Sequence, residues 1–260
     1  MIVVLSPAKK LTEKDPKMVP ATSLPQFMSE SETLMNKLKK LKPSGLSKLM
    51  KISPKLADLN FERNQQWNKK FTEKNAHPAA LTFDGEVYWG LEAETFKKGD
   101  FTFAQKHLRI LSGLHGVLKP LDLIKPYRLE MGSKFPVGKN KNLYEFWGDK
   151  ITESIAEDLK NTKSKTIIHL ASNEYFKSVQ TKELDAKVIT MHFRDLKNGV
   201  YKPLFAYVKR ARGQMAAFIV KNRIKKLEDC KAFDTVGYAY NSKLSEGNDW
   251  VFTRDKVQLS

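Results

Sequence analysis

Residues 103–132, FAQKHLRILSGLHGVLKPLDLIKPYRLEMG, constrain the fold more than any other stretch of this chain. Ala104, Leu108 and Leu111 recur at i, i+4 and i+7 with Lys106, His107 and Arg109 between them, a spacing that predicts an amphipathic helix. The helix must stop at Ser112-Gly113-Leu114-His115-Gly116, and Pro120 stands near the start of the next element. Two glycines so spaced leave backbone N–H groups on the outside of a tight turn, where a phosphate meets no Cβ. Lys106, Arg109, Lys119, Lys125 and Arg128 surround the turn with positive charge. Two structures fit: a helix-hairpin-helix element that grips a nucleic-acid backbone, or a helical hairpin in a core whose glycines act as C-caps. The first departs from the usual apolar-Gly-apolar-Gly hairpin, because both Leu114 and His115 separate Gly113 from Gly116.

Charge narrows the choice of partner. Lys and Arg number 46 against 29 Asp and Glu, a formal net charge of +17. That excess goes well beyond what solubility requires and points to a polyanion, nucleic acid ahead of an anionic membrane surface. With 260 residues, 41% of them hydrophobic, the chain can bury a large core and is not a disordered polycation. It contains no apolar run of about 18 residues, so no membrane span is expected. MIVVLSPAKK lacks a basic n-region and reads as a short buried strand rather than a signal peptide. Cys230 is the single cysteine and excludes an internal disulfide; with no signal sequence, the expected location is cytoplasmic.

Along the chain there is no repeat, low-complexity tract or long linker, so residues 1–260 read as one domain. Phe27, Ser31, Leu34, Leu38 and Leu41 trace a helix face that ends at Pro43, and Ser53-Pro54 is the N-cap and N1 of another helix. The many lysines of 30–74 read as solvated helix faces, with no site assigned there. Residues 165–171 form a buried strand and Ser172 opens a short helix. Residues 187–193 and 200–206 pair through Asn198-Gly199, a strong hairpin signal. Residues 207–223 form a basic helix with Val208, Ala211, Met215, Phe218 and Ile219 as its apolar stripe. Strands are expected again within 232–240 and 249–254. The reading is α+β, a single compact domain of helices around a central mixed sheet, with a helix-hairpin-helix-like element.

These blocks, in this order, resemble the YaaA family of peroxide-stress proteins over essentially the whole length. The resemblance is carried by Ser6-Pro7-Ala8-Lys9, FDGEVYWGL at 83–91, the 103–132 segment, LYEFWGDKIT at 143–152, LASNEYFKSV at 170–179, the KRARG motif at 209–213, and the closing Phe233, Gly237-Tyr238, Phe252 and Arg254. Lys10, Glu86, His115 and Asn173 stand where the family more often has Thr, Asp, Tyr and Asp. The resemblance implies a cytoplasmic protein of the response to hydrogen peroxide, linked to limiting free iron and hence DNA damage. It also implies a positive cleft, a helix-hairpin-helix element and binding to duplex, bulged or branched DNA.

The residues themselves supply candidate sites. Lys209 and Arg212 lie one helical turn apart and, with Arg210, can bracket successive phosphates; no local acidic partners neutralise them. Lys9 follows a buried strand, where an α/β sheet gathers ligands, and suits either a phosphate contact or a catalytic lysine. Tyr127-Arg128-Leu129-Glu130 and Asn173-Glu174-Tyr175-Phe176-Lys177 mix aromatics with charge, the composition of a base-stacking surface, an enzyme pocket or a core edged by ion pairs. The expected DNA contacts are Lys9, Arg109, Gly113, Gly116, Lys119, Arg128, Lys177, Lys209, Arg210 and Arg212. The catalytic candidates, if the chain is instead an enzyme on a nucleobase, nucleotide or small anionic metabolite, are Lys9, Glu130, Glu174 and Lys177. The five histidines make no metal motif, and there is no P-loop, dinucleotide-binding glycine pattern, serine elbow or cysteine nucleophile with a paired base. No cofactor is expected, and a monomer is favoured.

Overall fold

The computed structural model describes residues 1–12, 19 and 21–256. In chain order its strands are β1 (Ile2–Leu5), β2 (Lys10–Leu11), β3 (His77–Pro78), β4 (Phe83–Asp84), β5 (Leu108–Ser112), β6 (Gly116–Leu118), β7 (Leu123–Ile124), β8 (Thr166–His169), β9 (Lys187–Lys197), β10 (Val200–Lys202), β11 (Ala239–Tyr240) and β12 (Asp249–Arg254). The helices are α1 (Met28–Leu38), α2 (Pro43–Met50), α3 (Pro54–Gln66), α4 (Ala79–Thr82), α5 (Glu86–Leu91), α6 (Lys98–His107), α7 (Leu143–Trp147), α8 (Lys150–Asn161), α9 (Asn173–Phe176) and α10 (Phe205–Lys221).

The apolar run Ile2–Leu5 is buried on both faces, which suits it to the middle of a parallel sheet. It pairs in parallel with β5 on one side, Val3 beside Leu108, and with β8 on the other, Val3 beside Ile168. The full sheet runs β11-β12-β9-β8-β1-β5-β6, with β10 against β9. Its strands β5, β1, β8, β9 and β12 are mutually parallel, while β6, β10 and β11 are antiparallel additions. Helices pack against this sheet around one continuous hydrophobic core, as the sequence reading expects of an α+β chain with a central mixed sheet. Numbered by chain position, the parallel strands lie in the order 2-1-3-4-5. The chain leaves β1 toward β5, then returns to the opposite side for β8, so the order reverses between β1 and β8.

The helix expected across residues 104–111 ends at His107, and the next five residues are strand β5. All five are buried, so the alternation that would mark a half-exposed strand is missing and the apolar spacing mimics a helix. β5 then turns at 113–115 into antiparallel β6, with Ser112 opposite Gly116. The segment is therefore helix, strand, turn, strand, and the helix-hairpin-helix assignment at this position is overturned. A pair of helices joined by three residues does occur elsewhere: α2 and α3, linked by 51–53, with Lys51 in the left-handed region at φ 52°. Ser53 caps α3 as expected, its Oγ accepting from Leu56 N at 3.4 Å. The strand expected within 232–240 is reduced to β11, preceded by two short 3-10 turns.

The glycine of KRARG has a packing role. A Cβ at Gly213 would sit 1.8 Å from Val87 O, and one at Gly90 would sit 2.1 Å from Arg210 O. α10 and α5 thus cross backbone to backbone, which fixes α5 and its Tyr88-Trp89 pair over the sheet. No helix among the described residues is long and apolar enough to cross a membrane.

Candidate functional site at the carboxyl ends of the central strands

The reversal of strand order separates the loops that follow β1 and β8, opening a crevice where α/β sheets hold ligands. Ser6 stitches those loops together. Its Oγ accepts from Ser172 N at 2.8 Å and lies 3.3 Å from Ser172 Oγ, and its carbonyl accepts from Tyr88 OH at 3.0 Å. Past this point the chain exposes Lys9 and Lys10 and pairs β2 with β4, where Lys10 Nζ meets Asp84 Oδ2 at 2.6 Å.

A cleft of about 1170 Å³ opens beside the residues that follow β1, without lining residues from the loop after β8. One wall is α3, through Leu56, Leu59, Asn60 and Arg63; the other is β4 and α5, through Phe83, Asp84, Tyr88 and Trp89. Lys9, Lys10 and Arg128 also line it. Among the described lining residues four cations face two carboxylates, Asp84 and Glu94, and with Glu130, which pairs with Lys9 and Arg128, a small positive excess remains. Trp89 is 47% exposed, its indole N–H donating to Asp84 Oδ1 at 2.6 Å, and Leu56 and Leu59 are exposed across from it. Asn60 is buried; its Nδ2 donates to Leu56 O at 2.7 Å, and its Oδ1 has no partner among the described residues.

Where the cleft narrows, Arg128 NH2 and Lys9 Nζ share Glu130 Oε1 at 3.0 and 3.5 Å. Tyr88, Tyr127 and Tyr175 surround this point. Burial pushes all three phenols up, so they stay protonated and act as donors at physiological pH. Glu174 reaches the same region from α9, its Oε1 accepting from Gly132 N at 3.0 Å and so tying the 128–132 segment to the loop after β8. Lys177 follows α9 and is exposed.

The structure thus brings together Lys9, Arg128, Glu130 and Glu174 from the sequence candidates. Lys209 and Arg210 are exposed at the start of α10, and the Arg210 carbonyl lies against Gly90, beside Trp89. Arg212 turns inward. Its Nε is buried with no partner among the described residues, and its charge helps burial lower His169, at the end of β8, to about 4. His169 stacks on Phe176 with ring centroids 3.7 Å apart.

Three expected DNA contacts are corrected. Arg109 is 2% exposed and forms a bidentate pair with Asp158 of α8, Nε lying 2.5 Å from Oδ2, so it presents no charge to a ligand. Gly113 and Gly116 are buried. A Cβ at Gly113 would lie 2.2 Å from Leu129 O, and one at Gly116 would lie 2.8 Å from the Trp147 ring. Trp147 Nε1 also donates to Gly113 O at 3.1 Å. Gly113 therefore seats the backbone that presents Arg128 and Glu130, and no phosphate can reach the turn. Lys119 is exposed but does not line the cleft.

The sequence reading finds the helix that begins at Ser53-Pro54 but gives it no part in a site, and it takes Trp89 only as part of a block of resemblance; the structure puts both on the cleft, with Leu56 and Leu59 exposed. No group of three or more His, Cys, Asp or Glu among the described residues is arranged to hold a metal ion. Cys230 is buried, its thiol pushed up to about 12 by desolvation, which removes thiolate chemistry near neutrality.

Comparison with known proteins adds a family. A model of the peroxide stress protein YaaA family matches residues 1–244. A UPF0246 protein of Saccharophagus degradans is 49% identical over 254 residues, covering 98% of this chain and 99% of its own. A UPF0246 protein of Clostridium perfringens is 51% identical over 255 residues, covering 98% and 100%. A third, from Neisseria meningitidis serogroup B, is 48% identical over 256 residues, covering 98% and 99%.

Proposed function

The chain belongs to the peroxide stress protein YaaA family, and from that premise we propose that it binds DNA in the cleft beside the loop after β1, without sequence specificity, and so limits oxidative damage to DNA. The observation that carries the reading is a cleft that sets a half-exposed tryptophan against Lys9, Lys10, Arg63 and Arg128. Cations neutralise backbone phosphates, and an indole face stacks on a base whatever its identity. A stacking platform requires an accessible base face, which bulged and branched DNA supply and a regular duplex does not. α3, joined to α2 by a three-residue turn, supplies one wall through Leu56, Leu59, Asn60 and Arg63. Lys209 and Arg210 extend the positive rim.

The test is a fluorescence-anisotropy titration of linear, bulged and four-way-junction duplexes at two salt concentrations. With about six phosphates neutralised, affinity falls roughly 10³-fold between about 50 and 200 mM salt. Lys9→Glu/Lys10→Glu abolishes most of the binding, and Lys209→Glu/Arg210→Glu weakens it. A shallow salt slope, or a Lys9→Glu/Lys10→Glu protein that binds as tightly as the parent, contradicts the reading.

A second reading, an enzyme in the same cleft, is favoured by one feature: the nearly covered carboxylate of Glu130 between Lys9 and Arg128. Turnover lost on Glu130→Gln with DNA affinity kept separates an enzyme from a binder.

A further inference from the structure

Arg212 and His169 do not line the cleft. α10 packs against both β1 and β9, and β8 lies between those strands, so the charge of Arg212 is felt by His169 at the carboxyl end of β8. That guanidinium has no counter-charge. Arg109 and Arg254, both buried, pair with Asp158 and Asp195, and Arg128 pairs with Glu130. Arg212 has no such carboxylate among the described residues, and burial lowers its pKa unopposed. Its Nε is sealed from solvent without a hydrogen-bond partner, while its two terminal nitrogens stay open to solvent. A partly buried cation of this kind costs free energy unless an anion meets it. His169 has a matching need. It is 6% exposed, and its Nδ1 has no partner among the described residues. The exposed Asn173 lies beside it. Asp249, whose charge reaches His169 least, is engaged by His192 Nε2 at 2.7 Å.

We propose that Arg212, His169 and Asn173 hold a phosphate group at the end of β8, in a site separate from the DNA cleft and independent of the nucleic-acid reading. The planar fork of a guanidinium matches two phosphate oxygens. A phosphate monoester, or inorganic phosphate, satisfies His169 Nδ1 in either tautomer: P–O⁻ accepts from an N–H, and P–OH donates to a bare ring nitrogen. The second proton leaves near pH about 6, so both forms are present around neutrality. A carboxylate has no such proton at that pH and serves one tautomer only, and the same holds for the phosphodiester of a DNA backbone. The amide of Asn173 can donate to a further oxygen. The ligand class is therefore free phosphate or the terminal phosphate of a small ester.

The experiment is isothermal titration calorimetry of the full-length protein at constant ionic strength. The probes are inorganic phosphate, thymidine 5′-phosphate, thymidine and acetate. Saturable one-to-one binding of a phosphate probe is expected, with thymidine silent and acetate weaker; the tighter of the two phosphate arms tells a free from an esterified ligand. Arg212→Met binds about tenfold or more weakly. It also melts no lower than the parent in phosphate-free buffer, because the substitution removes an uncompensated charge, whereas an arginine kept for structure alone would lower the melting temperature on removal. Asn173→Asp, at an exposed position, sets a carboxylate beside the ligand and weakens binding by like-charge repulsion. Lys119→Gln, exposed and outside both sites, binds phosphate as the parent does. No saturable phosphate binding, or equal affinity in the parent, Arg212→Met and Asn173→Asp, overturns the inference; acetate bound as tightly as phosphate overturns the assignment of the ligand. Duplex binding in the cleft stands or falls separately.

Discussion

The turn at 113–115 and the loop at 6–10 both follow parallel strands at the same end of the sheet, and both have basic residues close in sequence. Their fates are opposite. The turn after β5 is covered by Trp147 and by the backbone of Leu129 and Glu130, with Arg109 neutralised by Asp158. The loop after β1 stays open, at the point where strand order reverses, and delivers Lys9 and Lys10 to the cleft. The difference teaches that a turn among basic residues becomes a site only where its surroundings leave it uncovered. In the closed turn the same residue types provide packing, and its glycine serves the open site indirectly by letting the 128–130 segment approach.

Substitutions in the closed region give the largest effects on stability and none that is specific to binding. Asp158→Ala strands the Arg109 charge in the core and costs about 3–5 kcal/mol, read by chemical denaturation. Gly113→Ala pushes Leu129 outward, costs about 1–3 kcal/mol, and displaces Glu130 from Lys9. An unfolding midpoint equal to the parent's for either variant would erase the contrast. In the open region, Lys9→Glu/Lys10→Glu changes unfolding free energy by less than about 0.5 kcal/mol while removing most DNA affinity. Lys119→Gln, outside the cleft, changes neither.

Acid sharpens the comparison from the closed side. Burial holds His115, in the turn, down at about 3, and His169 is held at about 4 by burial and by the Arg212 charge. Unfolded histidines titrate near about 6.5. As pH falls below that value the unfolded chain binds protons that the folded chain refuses, so stability drops progressively. Asp122 works in the opposite sense. Burial raises its carboxyl to about 6, so the stability it contributes is full below its unfolded value of 3.8 and is lost as pH rises through about 6. His115→Tyr has no imidazole to titrate, and its melting temperature falls less between pH 7 and 5 than the parent's. An identical slope for the two proteins would show that His115 accepts protons freely.

Local signals were legible. The four-residue apolar run of β1, the Ser53-Pro54 cap, the Asn198-Gly199 hairpin with φ of 55° and 74°, and the amphipathic α10 each announce themselves within a few residues. Arg109 was not legible, because its neutralising partner is 49 residues away. Nor was β5, since a strand buried on both faces has no alternation to show. Of the site, Lys9, Arg128 and Glu130 could be named but not joined. The cleft walls come from four separated segments, whose meeting no single segment encodes.

Trp89 gives the most direct measurement. It lines the cleft at 47% exposure, whereas Trp67, Trp147 and Trp250 are buried at 2%, 0% and 5%. Tryptophan emission is followed while a bulged duplex is added, with anisotropy of the labelled DNA read in parallel. Binding in the cleft quenches the emission in step with anisotropy, and Trp89→Phe removes the quenching. DNA that binds with full anisotropy while Trp89 emission stays constant would place the contact elsewhere and contradict the cleft as the nucleic-acid site.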